Sequence, residues 1–321
     1  MKYRTLGKTN LKVSEICYGT AFWGGRTNFE EAKKIFYFCL DNGINFFDTA
    51  EVYGSRLGEA EEMLGKLLKE SAKRKDLIIS TKVHGYRDNR YQTRKEILEC
   101  IDQSLKRLQT DYVDIYFLHW PDPFTPCEEV ISAMNEVVKS GKARFIGMSN
   151  YASWEVFQFI EVARKNNFSQ PAVLQEIFNV VDFDVNFEKY LLAKKLNLGY
   201  MAYSPLASGF LTGKYDKNKP IPENTRGKMK ADWEAKRWDW RFSEYGWKIL
   251  DKIKQLSTKY NATYSQISIA LVLAFDGVSC VIDGSRTVEQ LKENISCVNI
   301  KVEKEDFNSI NELSFFLSDR E

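Results

Sequence analysis

The fold is decided by a stretch that runs from an apolar segment through a helix to a second apolar segment. Residues 113–149 read VDIYFLHWPDPFTPCEEVISAMNEVVKSGKARFIGMS. Val113 to His119 is almost wholly apolar, which is typical of a strand buried on both faces. Cys127 to Ser140 has helical spacing, Gly141 is placed to end that helix, and Ala143 to Met148 predicts the next strand. The stretch therefore predicts one strand–helix–strand unit of a parallel sheet.

The same alternation extends in both directions along the chain. Further strands are predicted at Glu15 to Gly19, Asn45 to Asp48, Leu77 to Val83, Ala172 to Gln175, Leu198 to Tyr203 and Val278 to Ile282. Helices are predicted at Phe29 to Asn42, Gly58 to Glu70, Thr93 to Leu108, Ala152 to Asn167, Phe187 to Leu196, Tyr245 to Lys259, Ser265 to Phe275 and Val288 to Ile295. Eight strands alternating with helices close naturally into a (β/α)8 TIM barrel, an α/β fold.

Three segments depart from the even repeat of strand and helix. The gap before the last strand is long, which predicts an insertion after the seventh strand at about Leu206 to Glu244. Tyr3 to Val13 predicts a hairpin over the closed end of the barrel, and Glu303 to Leu317 predicts a final helix. Because no linker or low-complexity tract stands out, we expect residues 1–321 to form one domain.

Composition and charge exclude several classes of protein. The 321 residues include 46 Lys and Arg against 44 Asp and Glu, a net charge of +2, which gives no reason to expect nucleic acid as a partner. The longest apolar run, Ile269 to Phe275, is too short to cross a membrane, and the start of the chain is too polar for a secretory signal. None of the six cysteines forms a C-x-x-C pair, which indicates reduced thiols and a cytoplasmic protein.

Familiar motifs for metals and nucleotides are missing from the sequence. The chain has two histidines, His84 and His119, without the spacing of a zinc or iron site, so we expect no metal. The glycines between Gly19 and Gly25 do not match the dinucleotide-binding fingerprint, and neither a Walker loop nor a nucleophile elbow occurs.

Four polar residues follow successive predicted strands. Asp48 ends the second strand and Tyr53 comes five residues later; Lys82 ends the third strand, and His119 ends the fourth. Singly, a strand-end lysine is usually solvated, and a histidine after an apolar strand is more often a hydrogen-bonded core residue. Together they fall on the rim where barrel enzymes place their active sites, so we expect them to act as one group.

At this point the chain resembles the aldo-keto reductase family, in the branch of the bacterial reductases and potassium-channel β subunits. The resemblance extends over nearly the whole chain and is carried by Asp48-Thr49-Ala50, Tyr53-Gly54, Thr81-Lys82, Leu118-His119, Gly147-Met148-Ser149-Asn150, Gln175, Tyr203-Ser204-Pro205-Leu206, Gly213-Lys214-Tyr215, Gln290 and Glu293-Asn294. It implies an NAD(P)H-dependent carbonyl reductase whose catalytic residues are Asp48, Tyr53, Lys82 and His119.

Elementary chemistry suits those four roles. Hydride addition to a carbonyl leaves negative charge on oxygen, which a proton donor must meet, and Tyr53 is the phenol of the set. Since a free phenol has a pKa of about 10, we expect the Lys82 ammonium to lower the pKa of Tyr53. Asp48 supplies the counter-charge of Lys82, and His119 donates a hydrogen bond to the substrate oxygen.

The resemblance also implies where the cofactor lies. Ser149, Asn150 and Gln175 would hold the carboxamide, Tyr203 would stack on the nicotinamide, and Arg286 would hold the 2′-phosphate of NADPH. The other expected cofactor-binding residues are Asp48, Thr20 and Ala21 (the last two near the nicotinamide ribose), Ser204, Pro205, Leu206, Ser208 and Lys214 along the pyrophosphate, and Gly284, Gln290, Glu293 and Asn294 at the adenosine end.

Alternative readings stay open for two of these positions. Tyr203 also reads as a core aromatic at the end of a buried strand. Asp283 stands where the family often has Pro; it either brings negative charge near the 2′-phosphate, which leaves NADH possible, or caps the following helix.

The substrate pocket is less sharply defined. Phe22, Trp23, Tyr53, His84, His119 and Trp120 are expected to border it, and an aromatic, aliphatic or sugar carbonyl would fit. Residues 232–241 mix tryptophans with basic residues, as a platform for single-stranded nucleic acid does. Because acidic residues balance this segment, an amphipathic lid or surface helix is the other interpretation.

Three functions remain open at this stage. The leading one is an NADPH-dependent enzyme that reduces a small-molecule aldehyde or ketone. The alternative is an NADPH-binding regulatory protein resembling channel β subunits, and the third is a sugar-modifying dehydrogenase. The sequence leaves the substrate, the reaction direction and the oligomeric state open.

Overall fold

Eight parallel strands close into a barrel in the structure, a computed structural model that describes residues 1–85, 90–229 and 235–316. The strands follow one another around the ring in chain order, and the last pairs with the first. They are β3 (Ile16–Gly19), β4 (Phe46–Asp48), β5 (Ile78–Val83), β6 (Val113–Leu118), β7 (Ala143–Ser149), β8 (Pro171–Ile177), β9 (Gly199–Tyr203) and β10 (Val278–Asp283). The predicted (β/α)8 barrel is confirmed.

Helices cover the outside of the barrel. Those in the described part of the chain are α1 (Phe29–Asp41), α2 (Glu59–Ser71), α3 (Arg94–Leu108), α4 (Cys127–Lys139), α5 (Ser153–Lys165), α6 (Phe183–Leu196), α7 (Ala235–Arg241), α8 (Glu244–Tyr260), α9 (Tyr264–Leu273), α10 (Val288–Ile295) and α11 (Lys304–Phe316). Most bounds agree with the sequence to within two residues, but α6 begins at Phe183 rather than Phe187. None of these helices is long and apolar enough to span a bilayer.

The strands alternate between the barrel interior and the helical layer. On β6, Ile115 and Phe117 belong to the cluster inside the barrel, whereas Tyr116 and Leu118 pack toward the helices. The neighbouring strand carries Gly147, where an added Cβ would lie 2.3 Å from the Phe117 ring. A glycine is therefore required there for the phenylalanine to fill the interior.

An N-terminal hairpin covers the end of the barrel opposite the carboxyl ends of the strands. Strands β1 (Tyr3–Thr5) and β2 (Lys12–Ser14) pair antiparallel, as predicted, and their Leu6, Leu11 and Val13 join the interior cluster. One end of the barrel is thus closed, and the carboxyl ends of the strands form the other.

The insertion between β9 and α8 packs beside this open rim. It contains 3-10 turns within Ala207–Thr212 that are interrupted by a kink at Ser208 and Gly209, and the helix α7, whose Trp238 and Arg241 are buried. Arg241 Nη2 binds Asp182 Oδ2 at 2.5 Å in the loop after β8. Within the segment 232–241, residues 232–234 lie outside the described residues, as does Leu317 of the predicted last helix. Because Trp238 is buried in the core, it is not available to stack on a nucleic-acid base.

Candidate active site

The rim brings together the four polar side chains singled out from the sequence. Asp48 ends β4, Tyr53 lies on the loop that follows, Lys82 belongs to β5, and His119 follows β6. Parallel strands of a barrel end at the same rim, which is why residues so far apart along the chain meet.

The Lys82 ammonium is held by three acceptors. Its Nζ lies 2.6 Å from Asp48 Oδ2, 2.8 Å from the Thr49 carbonyl oxygen and 3.3 Å from the Tyr53 hydroxyl oxygen. An ammonium has three hydrogens to donate, so these contacts use all of them. Since Lys82 donates to the phenol oxygen, the hydrogen of the Tyr53 hydroxyl remains available to another acceptor.

Lys82 and Asp48 form a buried ion pair. Their side chains are 0% and 3% exposed, and Asp48 Oδ1 also accepts hydrogen bonds from Ser80 Oγ at 2.6 Å and Gln175 Nε2 at 2.9 Å. Burial alone would lower the pKa of Lys82, but the Asp48 carboxylate and the hydrogen bonds of the ammonium to Asp48 and Tyr53 outweigh this effect and raise that pKa above its ordinary value. Lys82 is therefore a permanent cation at neutral pH.

The electrostatics of Tyr53 differ from the expectation. Burial raises the pKa of Tyr53 above its ordinary value, and the opposing effect of Lys82 does not cancel this rise. The expected lowering of this pKa was wrong because the free energy of removing a phenolate from water exceeds the stabilisation that the neighbouring ammonium provides. The phenol thus stays protonated at neutral pH, which is the form that donates a proton. Its ring meets the His119 ring edge-on, with centroids 5.8 Å apart.

A cavity of about 1420 Å³ opens over these residues and extends along the rim. Most of the residues expected to bind cofactor or substrate line it. They are Ala21, Phe22, Asp48, Tyr53, His119, Trp120, Ser149, Asn150, Gln175, Tyr203, Ser204, Pro205, Leu206, Ser208, Lys214, Gly284, Arg286, Gln290, Glu293 and Asn294. The cavity is long enough to hold an extended ligand that reaches from Tyr53 to the loop before α10.

Three residues expected at the cavity lie elsewhere. Trp23 is fully buried and donates from Nε1 to the Tyr18 hydroxyl at 3.0 Å, so it is a core residue and does not border a substrate. Thr20 is also fully buried, and its hydroxyl donates to Thr49 Oγ1 at 2.8 Å rather than facing a ribose. His84 is buried away from the cavity lining as well.

His84 belongs to a separate buried cluster with Glu51 and Cys100. Its Nδ1 is hydrogen-bonded to Glu51 Oε1 and lies 3.6 Å from the Cys100 sulfur. Arg90 and Arg107 also approach Glu51, at 3.5 Å and 3.9 Å. The charge of the carboxylate is therefore already balanced by protein groups, and burial raises the pKa of the Cys100 thiol to about 12. The cluster supports the loop that carries Tyr53.

The residues expected around the carboxamide are tied to one another. Ser149 Oγ donates to the Gln175 carbonyl at 2.7 Å, and Asn150 Nδ2 donates to the His119 carbonyl at 3.0 Å. The Tyr203 hydroxyl donates to Asn150 Oδ1 at 2.7 Å. Tyr203 is only half-buried and lines the cavity, so it is not simply a core aromatic.

The segment after β9 has unusual backbone conformations. Ser204, Ala207 and Ser208 have positive φ angles of 54°, 49° and 57°. Non-glycine residues adopt this region at a cost of about 1–3 kcal/mol each, and such positions cluster at ligand-binding segments. Asn179, which binds both Asp182 and the Ser204 carbonyl at 3.0 Å, supports this segment from the loop after β8. This support was not predicted, because it joins two segments that lie far apart in the sequence.

Basic side chains gather along the same part of the cavity. Burial and the charges of Arg286 and Arg226 lower the pKa of Lys214, so the three cations repel one another. Such an arrangement fits an anionic ligand that would balance the charge. Arg226 was not singled out from the sequence, because an arginine in a polar insertion carries no motif.

Asp283 does not cap α10, as one interpretation expected, but it lines the cavity together with Arg286, so a negative charge near the 2′-phosphate stays a prediction. Its carboxylate accepts from the Ser285 N–H at 2.8 Å and from Asn294 Nδ2 at 2.6 Å, beneath the loop before α10. The residue that caps α10 is Thr287, whose hydroxyl accepts from the Gln290 N–H. Asp283 is buried, which raises the pKa of its carboxyl group, and its two hydrogen bonds stabilise the loop before α10.

Comparison with known families agrees with this geometry. The model of the aldo/keto reductase family matches residues 15–314, nearly the whole chain. The chain belongs to the aldo/keto reductase family. As a member of that family it is an oxidoreductase, and membership supports NAD(P)H-dependent reduction of small-molecule carbonyl compounds in general. The long cavity with its three cations fits such a dinucleotide.

Proposed function

We propose that this aldo/keto reductase reduces an aldehyde or ketone to the alcohol with NADPH as the preferred cofactor and Tyr53 as the proton donor. The observation that carries the proposal is the arrangement of Lys82, whose three hydrogen bonds join Asp48, Thr49 and Tyr53 in a buried site. An ammonium beside a phenol stabilises the phenolate that proton donation leaves behind.

Four side chains of the protein would each contribute to one part of the reaction. A bound dihydronicotinamide supplies the hydride that reaches the carbonyl carbon. His119 orients the carbonyl, and Tyr53 gives its proton to the carbonyl oxygen as negative charge develops there. Lys82 stabilises the Tyr53 phenolate, and the negative charge of Asp48 balances the positive charge of the buried ammonium. The raised pKa of Tyr53 favours this direction, because the donor stays protonated.

The cofactor-binding residues follow the shape of the cavity. Ser149, Asn150 and Gln175 would meet the carboxamide with amide and hydroxyl groups, and Tyr203 would stack on the nicotinamide. Lys214 would lie by the pyrophosphate, and Arg286 would hold the 2′-phosphate. Arg286 stands at the start of α10, where phosphates bind favourably.

Turnover of carbonyl compounds tests the proposal directly. The purified chain is mixed with NADPH and a panel of aliphatic, aromatic and sugar aldehydes and ketones, and the loss of dihydronicotinamide absorbance is followed. Turnover of at least one class supports an enzyme. Tight NADPH binding without turnover of any compound would instead favour a regulatory protein.

Replacing Arg286 with Ala should weaken the binding of NADPH much more than the binding of NADH. Because a charge-assisted hydrogen bond contributes about 1.5–3 kcal/mol, we expect the Kd for NADPH to rise by about tenfold or more. The Kd for NADH, which lacks the 2′-phosphate, should change little. Both constants are measured from the fluorescence of the bound dihydronicotinamide.

Lys214→Ala is the matched control for that prediction. If Lys214 lies by the pyrophosphate, which both cofactors share, its loss weakens NADPH and NADH alike. An Arg286→Ala variant that loses affinity for both cofactors equally would remove Arg286 from the 2′-phosphate site.

A further inference from the structure

A buried carboxylate borders the cavity directly beside the carboxamide residues. Glu176 follows Gln175 on β8, and its side chain is 1% exposed. Its Oε2 accepts from Lys189 Nζ of α6 at 2.8 Å, and its Oε1 accepts from the Asn150 backbone N–H at 2.8 Å. Both oxygens of the carboxylate are thus engaged, and both Glu176 and Lys189 line the cavity.

Asn150, the residue held by Glu176, connects several parts of the site. Its φ angle is 66°, in the left-handed region, so its backbone needs support from its surroundings. Its side chain donates to the His119 carbonyl and to Ser149 Oγ and accepts from the Tyr203 hydroxyl. A shift of the Asn150 backbone would therefore move groups next to both His119 and Tyr203.

We infer that Glu176 is a positioning residue: as a carboxylate paired with Lys189, it holds Asn150 in the left-handed conformation that seats the nicotinamide end of the cofactor. This inference rests on the proposed function, since it concerns the cofactor of that same site. Neither Glu176 nor Lys189 belongs to the motifs that carry the family resemblance in this sequence.

The arrangement requires the ionised form of Glu176. A neutral carboxylic acid keeps an acceptor oxygen for the Asn150 N–H, but it loses the charge that binds the Lys189 ammonium and so the ion pair that fixes the side chain. Among the side chains that the structure describes, the charged or titratable groups that face Glu176 are Lys189 from α6 and the buried Tyr200 phenol from β9. Of these two groups, the Lys189 ammonium stabilises the ionised form of Glu176.

Burial disfavours the ionised form of Glu176. It raises the pKa of Glu176 to about 7, although Lys189 and the Asn150 N–H oppose the rise. Protonation near neutral pH would then break the ion pair with Lys189 and weaken the hydrogen bond that holds Asn150 in place. If the bound cofactor needs Asn150 in place, cofactor affinity falls as the pH falls through this range.

Cofactor binding across pH tests the inference without relying on turnover. The Kd values for NADPH and NADH are measured with the full chain by dihydronicotinamide fluorescence, from about pH 6 to about pH 8.5. NADH is included because the 2′-phosphate of NADPH itself titrates with a pKa of about 6. We expect the unmodified protein to bind both cofactors about tenfold more weakly at the acid end, the scale of a hydrogen bond to a charged group.

Two variants are expected to change this profile in different ways. Glu176→Gln should bind both cofactors weakly at every pH, with no dependence beyond that of the 2′-phosphate. Lys189→Met keeps the carboxylate but removes the ammonium that favours ionisation, so its loss of affinity should begin at a higher pH. This second variant keeps the test decisive if Glu176→Gln fails to fold.

Glu61→Gln is the matched control. Glu61 is also a buried carboxylate, its pKa is also raised by burial, and it pairs with Arg107 at 2.6 Å on the outer side of the barrel. Its variant should keep the profile of the unmodified protein. The inference is overturned if Glu176→Gln retains the original pH dependence for NADH, if Glu61→Gln loses it equally, or if the unmodified protein binds tightly with a flat profile. Failure of the unmodified protein to bind either cofactor would overturn the proposed function itself.

Discussion

Tyr53→Phe should bind NADPH as the unmodified protein does but reduce carbonyl compounds at least about a hundredfold more slowly, the scale of a lost acid–base group. The substitution removes only the hydroxyl, so the ring can keep its edge-on contact with His119. Because Lys82 donates to this hydroxyl and to two other acceptors, the ammonium keeps Asp48 and the Thr49 carbonyl when the phenol oxygen is lost.

Steady-state turnover and cofactor fluorescence, measured on the same preparation, check this expectation. His119→Phe is the comparison variant, because it removes the group expected to orient the carbonyl but leaves the proton donor. It should lose less activity than Tyr53→Phe. Turnover by Tyr53→Phe close to that of the unmodified protein would show that another group donates the proton.

Lys82→Met should lose both activity and stability. It leaves Asp48 buried, 2% exposed, without its cation, and removing one partner of a buried ion pair costs about 3–5 kcal/mol of unfolding free energy. Turnover should fall at least about a hundredfold, since the Tyr53 phenolate loses its stabilising charge.

The double variant Asp48→Asn with Lys82→Met separates these two effects. It removes both charges, so urea denaturation should show that much of the lost stability is regained. Turnover should stay low, because the ammonium beside Tyr53 is still missing. A single Lys82→Met variant as stable and as active as the unmodified protein would contradict the role of the ion pair.

The barrel could be predicted because its signals are local. Apolar segments such as Val113 to His119 and helical spacing such as that of Cys127 to Ser140 each lie within one element. Once eight such units are recognised, the ring and its rim follow, and with them the meeting of Asp48, Lys82 and His119. The start of α6 was misplaced because the turn before it depends on the Asn179 side chain, which accepts from the N–H groups of Val181 and Asp182.

The sequence could not predict in the same way which loop side chains line the cavity and which are buried beneath it. Ala21 lines the cavity, whereas Trp23, two residues later, is buried against Tyr18. No periodicity governs a loop, so which of its side chains faces solvent depends on the packing beneath it. The same holds for the direction in which the pKa of Tyr53 moves, since it depends on burial as well as on Lys82.

Pairs of charges from distant segments were also missed. Glu176 and Lys189 lie on a strand and on the following helix, and Asp182 and Arg241 come from the loop after β8 and from the insertion. Each of these residues alone reads as an ordinary charged residue of a soluble protein. Only the fold shows that the members of each pair meet, and that Glu176 and Lys189 also line the cavity.

Transfer of deuterium from cofactor to product tests the central claim most directly. NADPH carrying deuterium at the transferable position of the nicotinamide ring is mixed with the chain and a reactive aldehyde, and the alcohol is analysed by mass spectrometry. We expect one deuterium on the carbinol carbon for each cofactor oxidised, and almost no labelled alcohol from Tyr53→Phe despite normal cofactor binding. Alcohol formed without the label, or labelled alcohol formed equally fast by Tyr53→Phe, would contradict it.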